Sequence, residues 1–206
     1  MDKMQNKSTW AILAVFCFIS SLSLAAPPKK PVTEAFYFTV PPSWVPALNN
    51  KKDDLAFLEF VPSGRTIYDW DRMMTVRMVK NSQETPEKHL EAMAGAARAA
   101  CHFAPVGKNE AGKVNNYSAS MRWVACAEHL ESGKGEFTLF QAIKGNDAFY
   151  VVQLAWRGAA FAGDKPPIAI EEYQVWQSIM SKVWLCDSAN PAHPCPEDKK
   201  GGQKLQ

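Results

Sequence analysis

The chain has 206 residues, 47% of them apolar, enough to bury a sizeable core. Its 23 lysines and arginines nearly cancel 21 aspartates and glutamates, leaving a formal net charge of +2. That balance argues against a dedicated nucleic-acid binder, which carries a strongly basic face.

The N-terminus reads as an export signal. Met1 to Lys7 is a short polar leader with Lys3 and Lys7, Trp10 to Leu24 is an apolar run, and small residues follow at Ser23-Leu24-Ala25. Basic, apolar and small segments in that order predict a secretory signal peptide over 1–25. The apolar run falls short of the ~20 residues a membrane span needs. Cleavage after Ala25 is favoured, because cleavage after Ala26 would place Pro27 beside the scissile bond. Cys17 is a poor lipid-attachment site, since Phe16 stands where a small residue is required. The expected location is therefore outside the cytoplasm, in the periplasm of a Gram-negative bacterium. Residues 26–33 form a proline-lysine linker that suits neither helix nor central strand. No later apolar run is long enough to span a bilayer, so no transmembrane segment is expected in the mature chain.

A single domain of about 160 residues is expected over 34–196. A first strand runs from Glu34 to Val40, ended by Pro41-Pro42, and Ser43 to Pro46 reads as an irregular bend. Asn49 to Asp54 reads as a polar turn and Leu55 to Val61 as a second strand, the two strands forming a hairpin with a long connection. Thr66 to Arg72 is turn-like around Trp70. Met73 to Val79 alternates Met74, Val76 and Met78 against Thr75 and Arg77, as a half-buried strand does.

Thr85 is a good N-cap, Pro86 fits the first helical position and Glu87 complements the helix dipole. They predict a helix to about Phe103, with Leu90, Met93, Ala94, Ala97 and Cys101 at helical spacing and small alanines for close packing on a sheet. Tyr117 to Glu128 is a strand, with Tyr117, Ala119, Met121, Trp123 and Ala125 on one face. Glu136–Ile143 and Ala148–Trp156 form the clearest hairpin, joined by Lys144-Gly145-Asn146-Asp147. Gly158 to Pro167 reads as a loop. A last helix is expected over 168–185, striped by Tyr173, Trp176, Ile179, Met180, Val183 and Trp184. Residues 197–206 are expected to be a disordered tail.

Four cysteines remain after signal removal: Cys101, Cys126, Cys186 and Cys195. An even count in an exported chain predicts two disulfides. Of three possible pairings, Cys101–Cys126 and Cys186–Cys195 join sequence neighbours, and the first would stabilise by ~3 kcal/mol in the chain-entropy model. His102, His129 and His193 lie close to these cysteines, yet no C-x-x-C pair is present and the spacing matches no common zinc module. No metal and no cofactor is expected.

Strands, helix, strands, helix with antiparallel connections predict an α+β domain, one antiparallel sheet flanked by helices. The order resembles the PsbP fold shared by photosystem PsbP proteins and bacterial DcrB-like envelope proteins. The residues that carry the resemblance are the opening strand with its corner, Phe38-Thr39-Val40-Pro41-Pro42-Ser43-Trp44, the hairpin Phe137 to Trp156, and the closing amphipathic helix. It covers Ala35 to Leu185 and implies an α/β/α sandwich whose members are mostly binding or assembly factors. The cysteines are no part of that pattern, and no functional residue transfers by position.

Catalytic signatures are absent from the sequence: there is no G-x-S-x-G, no H-E-x-x-H and no phosphate-binding glycine loop. A reactive C-x-x-C for thiol chemistry is absent as well. His102 and His129, with Glu128, would form the nearest thing to a paired site if a Cys101–Cys126 bridge brings them together. Asp69-Trp70-Asp71 reads as an exposed turn anchored by its ring rather than a calcium loop, which needs a longer oxygen-ligand series. The expectation is a non-enzymatic exported protein that binds another envelope protein or complex, as an accessory or structural subunit of an assembly such as a secretion system. Trp44, Tyr68 and Trp70 are the candidate contact residues, since aromatics anchor interfaces. The alternatives are a periplasmic inhibitor or immunity protein for an exported enzyme, and an enzyme acting on a cell-wall or small-molecule substrate.

Overall fold

A computed structural model describes residues 33–163, 167–195 and 203–205; the expected signal peptide and nearly all of the linker lie outside the described residues. Alternation along the strands sorts side chains onto two opposed faces of a sheet. In β4 (Arg72–Lys80), Met74, Val76 and Met78 turn to one core. β8 (Ala148–Ala159) sends Tyr150, Val152 and Leu154 to the same core, and Phe149 and Val151 to the other. The remaining strands of this sheet are β2 (Trp44–Lys52), β3 (Leu55–Pro62), β5 (Glu110–Val114), β6 (Tyr117–Cys126) and β7 (Lys134–Lys144). Their order is β2-β3-β4-β8-β7-β6-β5, every pair antiparallel.

A second, three-stranded antiparallel sheet has β1 (Glu34–Phe38) at its centre, flanked by β9 (Trp184–Asp187) and β10 (Gln203–Leu205). Together with helix α2 (Ile170–Met180) it closes the larger core. Phe36 stacks on Tyr150 at 4.8 Å between ring centroids, Phe38 meets Phe60 at 6.0 Å, and Trp176 of α2 stacks on Phe137 at 6.0 Å. The opposite face of the seven-stranded sheet carries helix α1 (Pro86–Ala100), whose Leu90 and Ala94 bury against Val124, Phe140, Ala142, Phe149 and Val151. Thr85 caps α1 as expected, its side chain accepting from the Lys88 amide. Both expected disulfides are present, Cys101–Cys126 and Cys186–Cys195.

Several sequence expectations are corrected. There are two antiparallel sheets rather than one. The first strand does not form a hairpin with the second; it leaves for the smaller sheet, because its partners come from the C-terminal end of the chain. The expected bend and polar turn are mostly strand β2, whose polar residues lie on an exposed edge, and the turn shrinks to Asp53-Asp54. Strand β5, polar and exposed, carries no apolar alternation to announce it. The last helix stops at Met180, and Trp184 onward is strand β9, which buries Leu185 and Cys186 against β1. Within the expected disordered tail, 203–205 form β10, with Leu205 buried.

The join between the two sheets is polar, with a fully buried carboxylate at its centre. The Glu34 carboxylate, 0% exposed, accepts from the backbone amides of Asn146 (2.6 Å) and Asp147 (3.2 Å) and from the Tyr150 hydroxyl (3.2 Å). It fits only because residue 145 is glycine: a Cβ there would collide with the carboxylate. Asp147 in turn accepts from the amide (2.9 Å) and hydroxyl (3.1 Å) of Thr33. Burial first, and then the neighbouring Glu34 charge, hold the Tyr150 and Tyr117 hydroxyls protonated far above the usual tyrosine range.

Glu34→Ala removes a buried acceptor shared by three donors, two of them buried, so it is expected to lower unfolding free energy by about 3 kcal/mol. Glu34→Gln, which keeps the shape and one acceptor oxygen, should cost less. Urea denaturation monitored by tryptophan fluorescence reads both. A loss for the alanine variant under about 1 kcal/mol would show that the turn is held by other contacts.

Candidate functional site

The α1 face of the sheet is not evenly covered. The helix carries alanine at 96, 97 and 100, and methyl side chains cannot fill the space between its C-terminal half and strands β6 and β7. A cleft of about 220 Å³ remains, floored by Val124, Thr138 and Phe140 and walled by those alanines. The Cys101–Cys126 bridge closes one side, with a Cα–Cα distance of 5.5 Å. Phe103 and Leu130, 50% and 55% exposed, follow at the same end of the helix, where the Leu130 amide donates to the Ala100 carbonyl at 2.9 Å.

From the cleft a chain of contacts leads to the loop of residues 63–71. Glu136 lines the cleft and accepts from Arg157 Nε at 2.8 Å. The Arg157 guanidinium lies 3.9 Å over the Trp70 ring, a cation–π contact. The loop is tied internally: Arg65 pairs with Asp69 at 3.2 Å and with Asp71 at 3.7 Å, and the Thr66 hydroxyl accepts from the Tyr68 amide. Tyr68 projects from it, 87% exposed.

The three aromatic candidates therefore separate. Tyr68 is presented to solvent and Trp70 is half-buried against Arg157. Trp44, at the start of edge strand β2, packs against the larger core and belongs to the opposite side of the sheet. Asp69 and Asp71 serve Arg65, which explains the carboxylates around Trp70 without any bound ion. Cys101 bridges in backbone register with His129, but His102 stays exposed, and the His129 Nδ1 accepts from the Glu131 amide. Among the described residues no three His, Cys, Asp or Glu groups are placed to hold a metal ion. Neither the cleft nor the exposed Phe103 and Leu130 at the same end of the helix is marked in the sequence beyond the run of alanines on one helix.

A polar knot fixes the other end of α1 to the sheet. His89, 3% exposed, sits between Arg77 Nη2 at 2.9 Å from its Nε2 and Glu84 Oε2 at 3.1 Å from its Nδ1. Its edge meets the Phe149 ring at 5.2 Å. An arginine can only donate, so Nε2 accepts and Nδ1 carries the proton toward Glu84. Further along the helix, Glu91 accepts from Arg122 at 2.6 Å and from Arg98 at 3.1 Å, and the Arg122 Nε donates to the Gly107 carbonyl at 2.8 Å. Hydrogen bonds from Arg122 first, then Arg98, hold the Glu91 carboxyl below the usual range. These ties set the position of the alanine wall.

No known protein-family pattern matches the chain, and no curated protein matches its sequence. Among solved structures it is similar to the crystal structure of LpqN, described as involved in cell envelope biogenesis of Mycobacterium tuberculosis. The two share 13% identity over 76% of this chain and 86% of that one, with a TM-score of 0.46, a loose likeness of architecture. No helix among the described residues is long and apolar enough to cross a membrane.

Burial first, then the Arg77 charge, push the His89 pKa below its ordinary 6.5, with Glu84 opposing them. The unfolded chain thus binds this proton more readily than the folded one. The stability contributed is complete above pH 6.5 and is lost as pH falls below that value toward the lower folded pKa. Unfolding free energy measured between pH 7.5 and 5 should decline, and His89→Gln should flatten the decline. Parallel pH profiles for the two proteins would assign the proton to another group.

Proposed function

We propose that this chain is an exported, non-enzymatic protein-binding domain, an accessory or structural subunit of a cell-envelope assembly such as a secretion system, working in the periplasm of a Gram-negative bacterium. It binds its partner through the end of the α1 face that runs from Tyr68 to the alanine-walled cleft. The observation that carries the reading is Tyr68, 87% exposed on a loop already fixed by its own ion pairs and hydrogen bonds. On a braced backbone, tyrosine has only two side-chain torsions to fix when a partner covers it, a low entropic cost for so large a contact area. Beside it lie a stacked Trp–Arg pair and an apolar cleft flanked by Phe103 and Leu130, which together offer the aromatic, arginine and aliphatic anchors that dominate interfaces. The leader-like N-terminus and two disulfides support work in an oxidising compartment. The PsbP-like layering belongs to the same reading.

The test compares tagged wild-type protein with Tyr68→Ala and Ala96→Leu, captured from crosslinked envelopes and quantified by mass spectrometry. Tyr68→Ala should leave thermal stability within about 0.5 kcal/mol, as a surface substitution does. It should reduce the specific partner set roughly tenfold, the scale of an interface anchor, and Ala96→Leu, which fills the cleft wall, should do the same. Trp70→Ala is the poorer probe, since it also loses its stacking on Arg157. Recovery of membrane-complex subunits supports the assembly reading. A single soluble enzyme turns it into the inhibitor reading, and a captured set indifferent to both substitutions removes this surface.

A further inference from the structure

The polar knot under the N-terminal half of α1 leaves one buried donor unused. Register sets Arg77 of β4 between Phe57 of β3 and Val151 of β8. Its Nη2 is spent on His89, a neutral acceptor that brings no counter-charge. Its Nε is buried and meets no hydrogen-bond partner among the described residues. The Glu84 carboxylate lies beyond His89, 3.1 Å from its Nδ1, and is partly in water. Burial pushes the Arg77 pKa down and the Glu84 charge opposes that, so a further anion beside the guanidinium would be favourable. Arginine keeps its proton in proteins, so the charge is not relieved by titration.

Beside the guanidinium is a small cavity of about 40 Å³, against roughly 10–15 Å³ for one water. Thr75, Gln153 and His89 line it together with Arg77, and Met93 and Val151 supply apolar wall. Gln153 Nε2 donates to the Thr75 hydroxyl at 3.1 Å, which leaves the hydroxyl proton and the second amide proton available. No aspartate or glutamate lines the cavity among the described residues. Glu59 stands opposite Thr75 in register but is outside the lining, and burial raises its pKa. We propose that this cavity is a binding site for a small monovalent anion of halide size, with chloride as its ordinary occupant. Arg77 Nε holds the ion, and Thr75 Oγ1 and Gln153 Nε2 are the further donors. The donor count separates an anion from water: a water has two lone pairs for three donors and needs acceptors for its own two protons, whereas an anion accepts from all three. An anion also supplies the charge that the neutral His89 does not. The site lies at the end of α1 away from the alanine-walled cleft and does not rest on the binding surface proposed above.

The test is thermal unfolding of the full mature protein at pH 7.5 and fixed ionic strength, with sodium gluconate replaced stepwise by sodium chloride, bromide or sulfate. Above a threshold concentration, chloride and bromide should raise the melting temperature with the logarithm of their concentration, as ligands of the folded state do. Sulfate, too large for the cavity, should show no threshold. Thr75→Val keeps the shape and removes one donor, so it should move the chloride threshold roughly tenfold upward, the scale of one hydrogen bond to a charged group. Arg77→Met should abolish the halide effect, and Thr75→Val keeps the test decisive if Arg77→Met does not fold. Crystals soaked in bromide should show an anomalous peak in the cavity, in contact with Arg77 Nε. Three results would overturn the proposal: no halide threshold in the wild-type protein, the same threshold in Thr75→Val, or no bromide peak in the cavity. A bromide peak without any effect in solution would mark an adventitious ion only and would overturn it as well.

Discussion

The Glu34 carboxylate in the β7–β8 turn is the constraint on which the rest of the arrangement hangs. A buried carboxylate is costly unless its oxygens are occupied. Here two backbone amides and a tyrosine hydroxyl occupy them, at a turn that leaves room only because Gly145 lacks a side chain. The contact spans more than a hundred residues of sequence and fixes β1 against the longest hairpin. Once β1 is fixed, β9 and β10 have edges to pair with. Asp187 then falls opposite Glu34 in register, and the Cys186–Cys195 bridge ties the following segment back onto β9. Polar specificity, rather than extra apolar area, decides where the C-terminal quarter of the chain goes.

The two faces of the large sheet solve coverage differently. One packs large rings and methionines under α2 and the smaller sheet, and leaves cavities where β10 meets the β2–β3 hairpin and along the β5–β6 edge beside α2. The other has a single helix, half of it faced with alanine, held at its ends by His89–Arg77, by Glu91–Arg122 and by the Cys101–Cys126 bridge. Small side chains bring a helix close to a sheet but do not fill the space around it. Rigid attachment with incomplete filling leaves a cleft whose shape persists, because the ties that hold the helix are polar and covalent and do not depend on the cleft's being full.

Elements that carry their own local signal were legible in the sequence. The β7–β8 hairpin, the β4 alternation and the Thr85-Pro86 helix start were all readable, as were both disulfide pairings. What escaped was non-local. β2 reads as a bend and a polar turn because an exposed edge strand needs no apolar alternation. The stretch after Met180 keeps helical spacing in Val183 and Trp184, yet pairing with β1 overrides it. Of the candidate contacts, Tyr68 and Trp70 share one loop while Trp44 faces the other way; a flat sequence cannot show on which side of a sheet a loop folds. In the sequence the alanines read as packing residues; that they also build a wall depends on strands β6 and β7 opposite them.

The sheet's open edges bear on how such a domain meets another protein. Strand addition to an edge is a general route to association, and natural edges are guarded against it. β2 has Pro46, which lacks an amide proton, a register shift between Pro46 and Leu48, and two lysines at its end. β5 is five residues long and carries Lys113. Both terminal strands of the large sheet are therefore poor templates for a foreign strand. In the proposed reading, recognition falls to side chains that stand off the sheet, and on the α1 side those are Tyr68 on its braced loop and the residues around the alanine cleft. If the proposed reading holds, the guarding of the edges and the bracing of the loop act together: one disfavours indiscriminate strand addition, and the other holds a surface ready for a selective partner.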